Sequence, residues 1–343
     1  MEAIQLASNE NPFGPSPDAI KAIETVLSEA HLYPDHDVSE LRQKLAEFHG
    51  IGVEHIVPAA GSTELLGMIA RALLSPGLNA ITSERSFLVY PIATQAAGGR
   101  LIQTPMRNDS FDLEAILASI DRHTRVVFLS NPNNPTGTIR TASHIDRFLD
   151  NLPDHVTVVL DEAYYDFAEN FSQLRGIDYS HAVDSVRQGR KVVVLRSFSK
   201  VHGLAGIRVG YGIGPAELMS HLEHMRTIFS VSSVAQAAAV AALRDRAHIQ
   251  KTLENNARQS ERLTEGIARL GYQVTPTWAN FLYCELEEDA ANVAKHIEQE
   301  GVIIRPLGPW GAPTAIRVTI GTPEQNDLFL NAFQKAARRA AVD

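Results

Sequence analysis

Short apolar runs alternate with helical patterns through the middle of the 343-residue chain. The runs occupy residues 125–129, 156–160, 191–195 and 207–213 and are rich in valine, leucine and isoleucine. Their apolarity is continuous, which is typical of strands that helices cover on both faces. The pattern predicts an α/β fold with a mostly parallel sheet between helices.

The chain changes character after residue 232. An alanine-rich and then charged stretch from Ser233 to Gly271 predicts a long connecting helix that ends at the glycine. The segments that follow predict a small α+β unit. They are strand-like runs at 281–285, 302–305 and 316–320, a helix near 290–300 and a last helix from about Pro323.

A chain of this length exceeds the size of one hydrophobic core, so two domains are expected. Near the N-terminus, Ser16-Pro17-Asp18 has the cap, first-turn proline and acid of a helix start, and we expect that helix to reach about Ala30. We therefore expect an N-terminal arm with part of the small domain at 1–30 and a large domain at 31–232. A connecting helix with the small C-terminal domain should cover 233–343.

Composition narrows the class of protein. The 31 basic and 40 acidic residues give a formal net charge of -9, which repels nucleic acid and anionic membranes. The single cysteine, Cys284, lies in an apolar segment and favours a reducing compartment. The N-terminus does not resemble a leader, and no uncharged apolar stretch approaches the ~18 residues that span a bilayer. We expect a soluble, cytoplasmic protein without nucleic-acid or membrane partners.

Two ionisable side chains directly follow apolar runs. Lys200, in the segment SFSK at 197–200, follows the run 191–195, and a lysine there becomes a usable nucleophile when it is partly desolvated. Asp161 follows the run 156–160 and lies where open α/β sheets bind ligands. Taken alone, the lysine could be a solvated side chain and the aspartate a helix cap.

Two loops offer hydrogen-bond donors. The prolines of NPNNPTG at 131–137 predict a rigid loop that presents Asn134. The loop AAGSTE at 59–64 precedes an amphipathic pattern, which puts Ser62 and Thr63 at a helix N-terminus, a common phosphate site. Arg208 would add a bidentate contact to the same anion. Each loop alone predicts no more than a turn.

Together these segments resemble the fold-type I pyridoxal phosphate aminotransferases. The resemblance rests on GST at 61–63, NPTG at 134–137, DEAY at 161–164, SFSK at 197–200 and Arg208. The opening LASNENPFGPS at 6–16, YPD at 33–35, IRP at 304–306 and IRVTIG at 316–321 resemble the histidinol-phosphate aminotransferase branch of the class II family. The resemblance covers essentially the whole chain. It implies pyridoxal 5'-phosphate as cofactor and a homodimer with shared active sites.

The resemblance also implies roles for individual residues. Lys200 would form the Schiff base and move the α-proton, Asp161 would pair with the pyridine nitrogen, and Tyr164 with Asn134 would hold the ring oxygen. Phe87 would stack on the pyridine ring. The implied phosphate ligands are Ser62, Thr63, Ser197, Ser199, Arg208 and, from the neighbouring subunit, Tyr33. The implied substrate-binding residues are Arg317, Arg305, Asn11 and Phe13, with Asn9 at the substrate entrance.

The expected reaction is amino transfer from L-histidinol phosphate to 2-oxoglutarate in histidine biosynthesis. Phe13 and Phe229 stand where many relatives have tyrosines near the substrate phosphate. An aromatic pocket with two arginines also suits phenylalanine or tyrosine as amino donor, so an aromatic aminotransferase stays open. So do a decarboxylase of a phosphorylated amino acid and a non-catalytic ligand sensor. His221 and His224 have the spacing of helical metal ligands, but further ligands are not identifiable, and we expect no metal site.

Overall fold

The fold combines two main β-sheets with the helices that cover them. The computed structural model describes residues 3–340. The strands are β1 (Ile4–Gln5), β2 (Ile56–Ala59), β3 (Asn79–Ser83), β4 (Arg100–Thr104), β5 (Met106–Arg107), β6 (Ser110–Phe111), β7 (Thr124–Ser130), β8 (Thr157–Asp161), β9 (Val192–Ser197), β10 (Gly210–Ile213), β11 (Gln273–Thr275), β12 (Phe281–Glu285), β13 (Val302–Ile303), β14 (Arg305–Pro306) and β15 (Ala315–Thr319).

Helices separate most of these strands. The α-helices are α1 (Pro17–Val26), α2 (Ser39–His49), α3 (Ser62–Leu73), α4 (Val89–Ala96), α5 (Leu113–Ser119), α6 (Ala142–Asp150), α7 (Tyr165–Arg175), α8 (Ala182–Arg187), α9 (Ala216–Met225), α10 (Ser233–Ala242), α11 (Arg246–Ala268), α12 (Ala290–Gln299) and α13 (Pro323–Ala340). Short 3₁₀ helices cover Leu27–Glu29, Val53–His55, Ala205–Ile207 and Gly308–Trp310. In residues 3–340, no helix is both long and apolar enough to cross a membrane.

The large sheet has the strand order β2-β10-β9-β8-β7-β3-β4. Strand β10 is antiparallel to both of its neighbours, and the other pairs are parallel, which confirms the predicted mostly parallel sheet. Successive residues of β8 belong to different hydrophobic clusters, with Val158 and Leu160 in one and Val159 in the other. Both faces are therefore buried, which explains the continuous apolar runs.

The run at 207–213 departs from its prediction. Its first residues lie in a 3₁₀ helix, and the strand begins only at Gly210. Arg208 has φ 61, in the left-handed region, and this reverses the chain before the strand. Arg208 is thereby placed at the same edge of the sheet as the carboxyl ends of the parallel strands.

The small sheet has the order β11-β12-β15-β14 and is antiparallel throughout. Next to it, β1 pairs in parallel with β13, so the N-terminal segment joins elements from the other end of the chain. Leu6 packs in one cluster with Leu263, Ile316 and Phe333. The small sheet thus has a hydrophobic core of its own.

The stretch from Ser233 to Gly271 forms two helices where one was expected. Helix α10 ends at Ala242, and Asp245 caps α11 by accepting the backbone N–H of His248. Helix α1 packs against α10, and both contribute to a cluster on the large sheet. The domain boundaries at 30 and 232 stay a prediction, and residues 1–2 and 341–343 of the first and last predicted domains lie outside the described residues.

Register places the polar motifs in a row. Ser130 lies opposite Asp161 across β7 and β8, and Asp161 lies opposite Leu195 on β9. Gly210 pairs with Ser197 on one side and with Ala59 on the other. The loops that follow β2, β7, β8 and β9 therefore meet at one edge of the sheet, where ligands bind in open α/β folds.

Candidate active site

A cavity of about 460 Å³ opens at this edge, between the large sheet and the small one. Most of the residues that the sequence predicts for the site line this cavity. They are Ser62, Thr63, Phe87, Asn134, Asp161, Tyr164, Ser197, Ser199, Lys200, Arg208, Arg305 and Arg317, together with Asn9. One concave space thus collects side chains from both ends of the chain, as small-molecule sites do.

Lys200 contacts the N-terminal segment. Its Nζ lies 3.3 Å from the carbonyl oxygens of Ser8 and of Asn9, to which it donates. Burial lowers the pKa of Lys200 to about 8, and the charge of Arg317 acts in the same direction. A larger fraction of this amine is neutral near neutral pH than for an exposed lysine, and the neutral amine is the nucleophile and the base.

Asp161 is a buried acid at the end of β8 and is 3% exposed. Its Oδ2 accepts from the Tyr90 hydroxyl at 3.1 Å, and its Oδ1 accepts from the Ala163 N–H at 3.3 Å. Burial raises the pKa of Asp161 to about 6, although these hydrogen bonds act to lower it. No lysine or arginine in residues 3–337 forms an ion pair with Asp161, so the carboxylate suits a cationic ligand atom in the cavity.

The N-terminus of α3 and Arg208 form a cradle for an anion. Gly61 precedes the helix with φ 86, and no side chain caps the first turn. A Cβ at Gly61 would lie 2.5 Å from Nη2 of Arg208, so glycine is needed for this approach. Free N–H groups at a helix N-terminus beside a guanidinium favour a phosphate group.

Arg305 and Arg317 lie opposite each other on β14 and β15. Arg317 is 5% exposed. Its Nη2 donates to the Ala7 carbonyl at 2.7 Å, and its Nη1 donates to Oδ1 of Asn134. Its Nε is buried and has no hydrogen-bond partner. Burial lowers the pKa of Arg317 to about 10, and the neighbouring Arg305 acts in the same direction. Neither arginine forms an ion pair with a carboxylate in residues 3–340. Two adjacent cations without a counter-ion favour an anionic ligand.

These groups fit pyridoxal phosphate. A buried acid without a cation suits a protonated ring nitrogen, a lysine of lowered pKa suits an aldehyde, and the cradle at Gly61 suits a phosphate ester. Among residues 3–340, no three histidine, cysteine, aspartate or glutamate side chains could together hold a metal ion.

Comparison with known proteins agrees with this geometry. A sequence profile of the family "Aminotransferase class I and II" matches residues 2–333. Histidinol-phosphate aminotransferase 2 of Pseudomonas aeruginosa is 44% identical over 332 residues, which cover 97% of this chain and 88% of the relative. Histidinol-phosphate aminotransferase of Moorella thermoacetica is 42% identical, with 97% and 85% covered. The chain belongs to the class I and II aminotransferase family.

A solved structure extends the likeness to the fold of this aminotransferase. The crystal structure of histidinol-phosphate aminotransferase from Sinorhizobium meliloti in complex with pyridoxal 5'-phosphate has a TM-score of 0.91. It is 29% identical and is matched over 99% of this chain and 92% of that one. The predicted family and the predicted fold class are confirmed.

Three of the predicted residues lie away from the cavity of this aminotransferase. Tyr33 is 82% exposed and stacks on Phe229, with ring centroids 4.7 Å apart. Asn11 is 8% exposed and donates to the Val201 carbonyl at 2.7 Å, so its amide is engaged within the protein. Phe13 packs under Nζ of Lys251 at 4.2 Å from the ring centroid. The protomer therefore does not bring Asn11 or Phe13 to the site, whereas Asn9 does line the cavity.

Several side chains at the site were not predicted, and Tyr90 and Trp310 are the aromatic ones among them. Tyr90 binds Asp161 from α4, and its only signal in the sequence is its position three residues after Phe87. Trp310 lines the cavity from the 3₁₀ helix that follows β14, with its ring centroid 5.7 Å from the Arg317 guanidinium carbon. Nothing in the local pattern around Trp310 points to a ligand.

Proposed function

We propose that this aminotransferase transfers the amino group of L-histidinol phosphate to 2-oxoglutarate in histidine biosynthesis, with pyridoxal 5'-phosphate as cofactor. The observation that carries this proposal is the pair of half-buried Arg305 and buried Arg317, which has no carboxylate partner in residues 3–340 and lies beside a cavity edge that fits the cofactor. Both substrates present an anion at the corresponding end, a phosphate ester in one and a carboxylate in the other. The names of the relatives at 42% and 44% identity support the same reaction.

The chain supplies the groups that hold the cofactor. Ser62, Thr63, Ser197, Ser199 and Arg208 would hold its phosphate, Asp161 would hold its ring nitrogen, and Phe87 would pack on its ring. When bound, the cofactor withdraws electrons from the substrate α-carbon and makes its proton removable.

Hydrogen bonds within the protein orient the two donors for the ring oxygen. Oδ1 of Asn134 accepts from Arg317, which leaves the amide nitrogen of Asn134 as a donor. The Tyr164 oxygen accepts from Nδ2 of Asn9 at 2.9 Å, which leaves the hydroxyl hydrogen of Tyr164 free to donate. Nζ of Lys200 takes the proton from the α-carbon of the amino donor in the first half-reaction. In the second half-reaction it gives a proton to the α-carbon of the new amino acid.

The proposed assembly is a homodimer with shared sites. Leu32, Tyr33, Ile228 and Phe229 are exposed, by 37% to 82%, and Tyr33 stacks on Phe229. Exposed apolar side chains that cluster in this way mark protein interfaces. In the dimer, this surface is covered and Tyr33 reaches the cofactor phosphate of the partner subunit. We place the enzyme in the cytoplasm, in line with its free, buried Cys284.

A half-reaction assay tests the substrate. Enzyme loaded with cofactor is mixed with L-histidinol phosphate, phenylalanine or tyrosine, and the loss of the cofactor's visible absorption is followed in a single turnover. We expect the largest kcat/KM with L-histidinol phosphate, because both arginines engage a dianion more strongly than a carboxylate. A larger value for either aromatic amino acid would overturn the assignment.

A second assay, with a phosphorylated amino acid and 2-oxoglutarate, tests the decarboxylase alternative. Release of carbon dioxide from a phosphorylated amino acid without consumption of 2-oxoglutarate would identify a decarboxylase. We expect amino transfer to 2-oxoglutarate and no carbon dioxide.

A further inference from the structure

Behind the cofactor-facing side chains lies a buried ion pair, Glu162 with Arg196. Their side chains are 1% and 9% exposed. Nε and Nη2 of Arg196 donate to Oε2 of Glu162 at 3.1 and 2.9 Å, and the Ser180 hydroxyl donates to Oε1 at 2.5 Å. The guanidinium carbon also lies 3.4 Å from the ring centroid of Tyr165. Both charged groups are thus fully engaged with protein partners.

The position of the pair in the sheet is informative. Glu162 directly follows Asp161 at the end of β8, and Arg196 directly precedes Ser197 at the end of β9. Successive side chains of a strand point to opposite faces, so Asp161 and Ser197 face the cavity while their neighbours face each other behind it. The backbone ties the same two strand ends, since the Glu162 N–H donates to the Leu195 carbonyl at 2.8 Å.

Stability alone does not account for this pair. A buried ion pair gives little net stabilisation over apolar side chains of similar volume, because both charges lose their hydration. The pair instead fixes the separation and orientation of the two strand ends, because a guanidinium forms two hydrogen bonds to a carboxylate only in a narrow range of geometries. Burial acts to lower the pKa of Arg196, but the Glu162 carboxylate together with Tyr211 and Tyr165 outweighs it, and the pKa is raised.

We propose that Glu162 and Arg196 are positioning residues that fix Asp161 relative to Ser197, and so the ring-nitrogen site relative to the phosphate site of the cofactor. This inference rests on the proposed roles of Asp161 and Ser197. The pair touches neither cofactor nor substrate and acts through its two chain neighbours.

The test uses the double variant Glu162→Met with Arg196→Met, which removes both charges and keeps the volume. Three quantities are measured: the unfolding temperature of the cofactor-free protein, the dissociation constant of pyridoxal phosphate, and the pH midpoint of the bound cofactor's visible absorption. We expect an unfolding temperature close to that of the wild type. The dissociation constant of pyridoxal phosphate should rise ~10-fold and the pH midpoint should shift, as when a residue that orients a ligand-binding side chain is removed. A folded double variant with wild-type cofactor affinity and midpoint would show that the pair is only structural.

A second variant covers the case in which the double variant does not fold. Arg196→Lys keeps the charge but loses the grip through two nitrogens and the stacking on Tyr165. We again expect ~10-fold weaker cofactor binding with little change in the unfolding temperature. Unchanged binding in Arg196→Lys overturns the proposal.

Two controls separate the possible failures. Arg190 pairs with Asp150 at 2.9 Å near the other end of β9, and Arg190→Met should leave cofactor binding unchanged. Asp161→Asn and Ser197→Ala report on the proposed site itself. If those two variants bind the cofactor like wild type, the assigned roles of Asp161 and Ser197 fail, whatever the pair does.

Discussion

The two sides of the cavity differ in whether their charged side chains are paired within the protein. On the large-sheet side, Asp161 has hydrogen bonds from Tyr90 and Ala163, and the anion cradle is made of backbone N–H groups and one arginine. On the small-sheet side, Arg305 and Arg317 lie next to each other, and within the described part of the chain neither pairs with a carboxylate and Nε of Arg317 has no partner. The large-sheet side is the cofactor half, and it is pre-organised for one group that stays bound. The small-sheet side is the substrate half, and its uncompensated positive charge suits anionic substrates that bind and dissociate.

The largest effect is expected from the substrate half. Arg317→Ala should lower kcat/KM about 10³-fold, the equivalent of about 4 kcal/mol, for both L-histidinol phosphate and 2-oxoglutarate. Arg305→Ala should lower it about 10-fold, because Arg305 is less buried. Steady-state kinetics with each substrate provides the measurement.

The same variants test whether the arginines form one shared anion site. Arg269, whose side chain is 77% exposed in the small-sheet region, offers a control, and Arg269→Ala should behave like wild type. If Arg317→Ala impairs only one of the two substrates, the shared site is wrong. The unfolding temperature of cofactor-free Arg317→Ala should not fall, since the variant removes repulsion between like charges.

A smaller effect is expected from the acid of the cofactor half. The pKa of Asp161 is raised from 3.8 to about 6 by burial, so the stability that its proton provides is full below 3.8 and lost as the pH rises through about 6. Asp161→Asn should therefore stabilise the cofactor-free protein by up to about 3 kcal/mol near pH 7.5 and much less near pH 4. Denaturant unfolding at both pH values measures this, with Asp150→Asn as an exposed control. Equal stability of variant and wild type near pH 7.5 would contradict a strained, buried carboxylate.

The smallest effect concerns the anion cradle. Gly61→Ala puts a Cβ against Arg208 at a positive φ, and we expect about 10-fold weaker binding of pyridoxal phosphate and a loss of about 1 kcal/mol of stability. Gly67→Ala in the same helix is the matched control, because the nearest atom to its Cβ is 3.8 Å away. That control should keep cofactor affinity and gain up to about 1 kcal/mol. Similar affinities in the two variants would show that the cradle does not hold the phosphate.

The cofactor half could be predicted from the sequence more completely than the substrate half. Asp161 and Lys200 follow apolar runs, and parallel strands bring their carboxyl ends to one edge, so the local pattern predicts both. Ser197 is predicted by the family resemblance. Tyr90 is not predicted, because its contact with Asp161 arises only when α4 packs on the sheet.

Several residues of the substrate half lie in irregular segments, where no periodic pattern predicts their position. Asn9 and Asn11 are two residues apart in a coil, and no periodic pattern tells which of the two amides lines the cavity; the structure shows that Asn9 does, with φ 58. Trp310 enters from a 3₁₀ helix with no periodic signal. The break between α10 and α11 was missed for a similar reason, since alanine and charged residues favour helix throughout and one cap at Asp245 decides it.

The N-terminal segment has a consequence for biosynthesis. β1 pairs with β13, Ala7 accepts from Arg317, and the carbonyls of Ser8 and Asn9 accept from Lys200. The segment around β1 must therefore wait for β13 and β15, which are synthesised much later, before the site closes. Chains that terminate before β15 should therefore be inactive, because the site forms only after the small sheet has been synthesised.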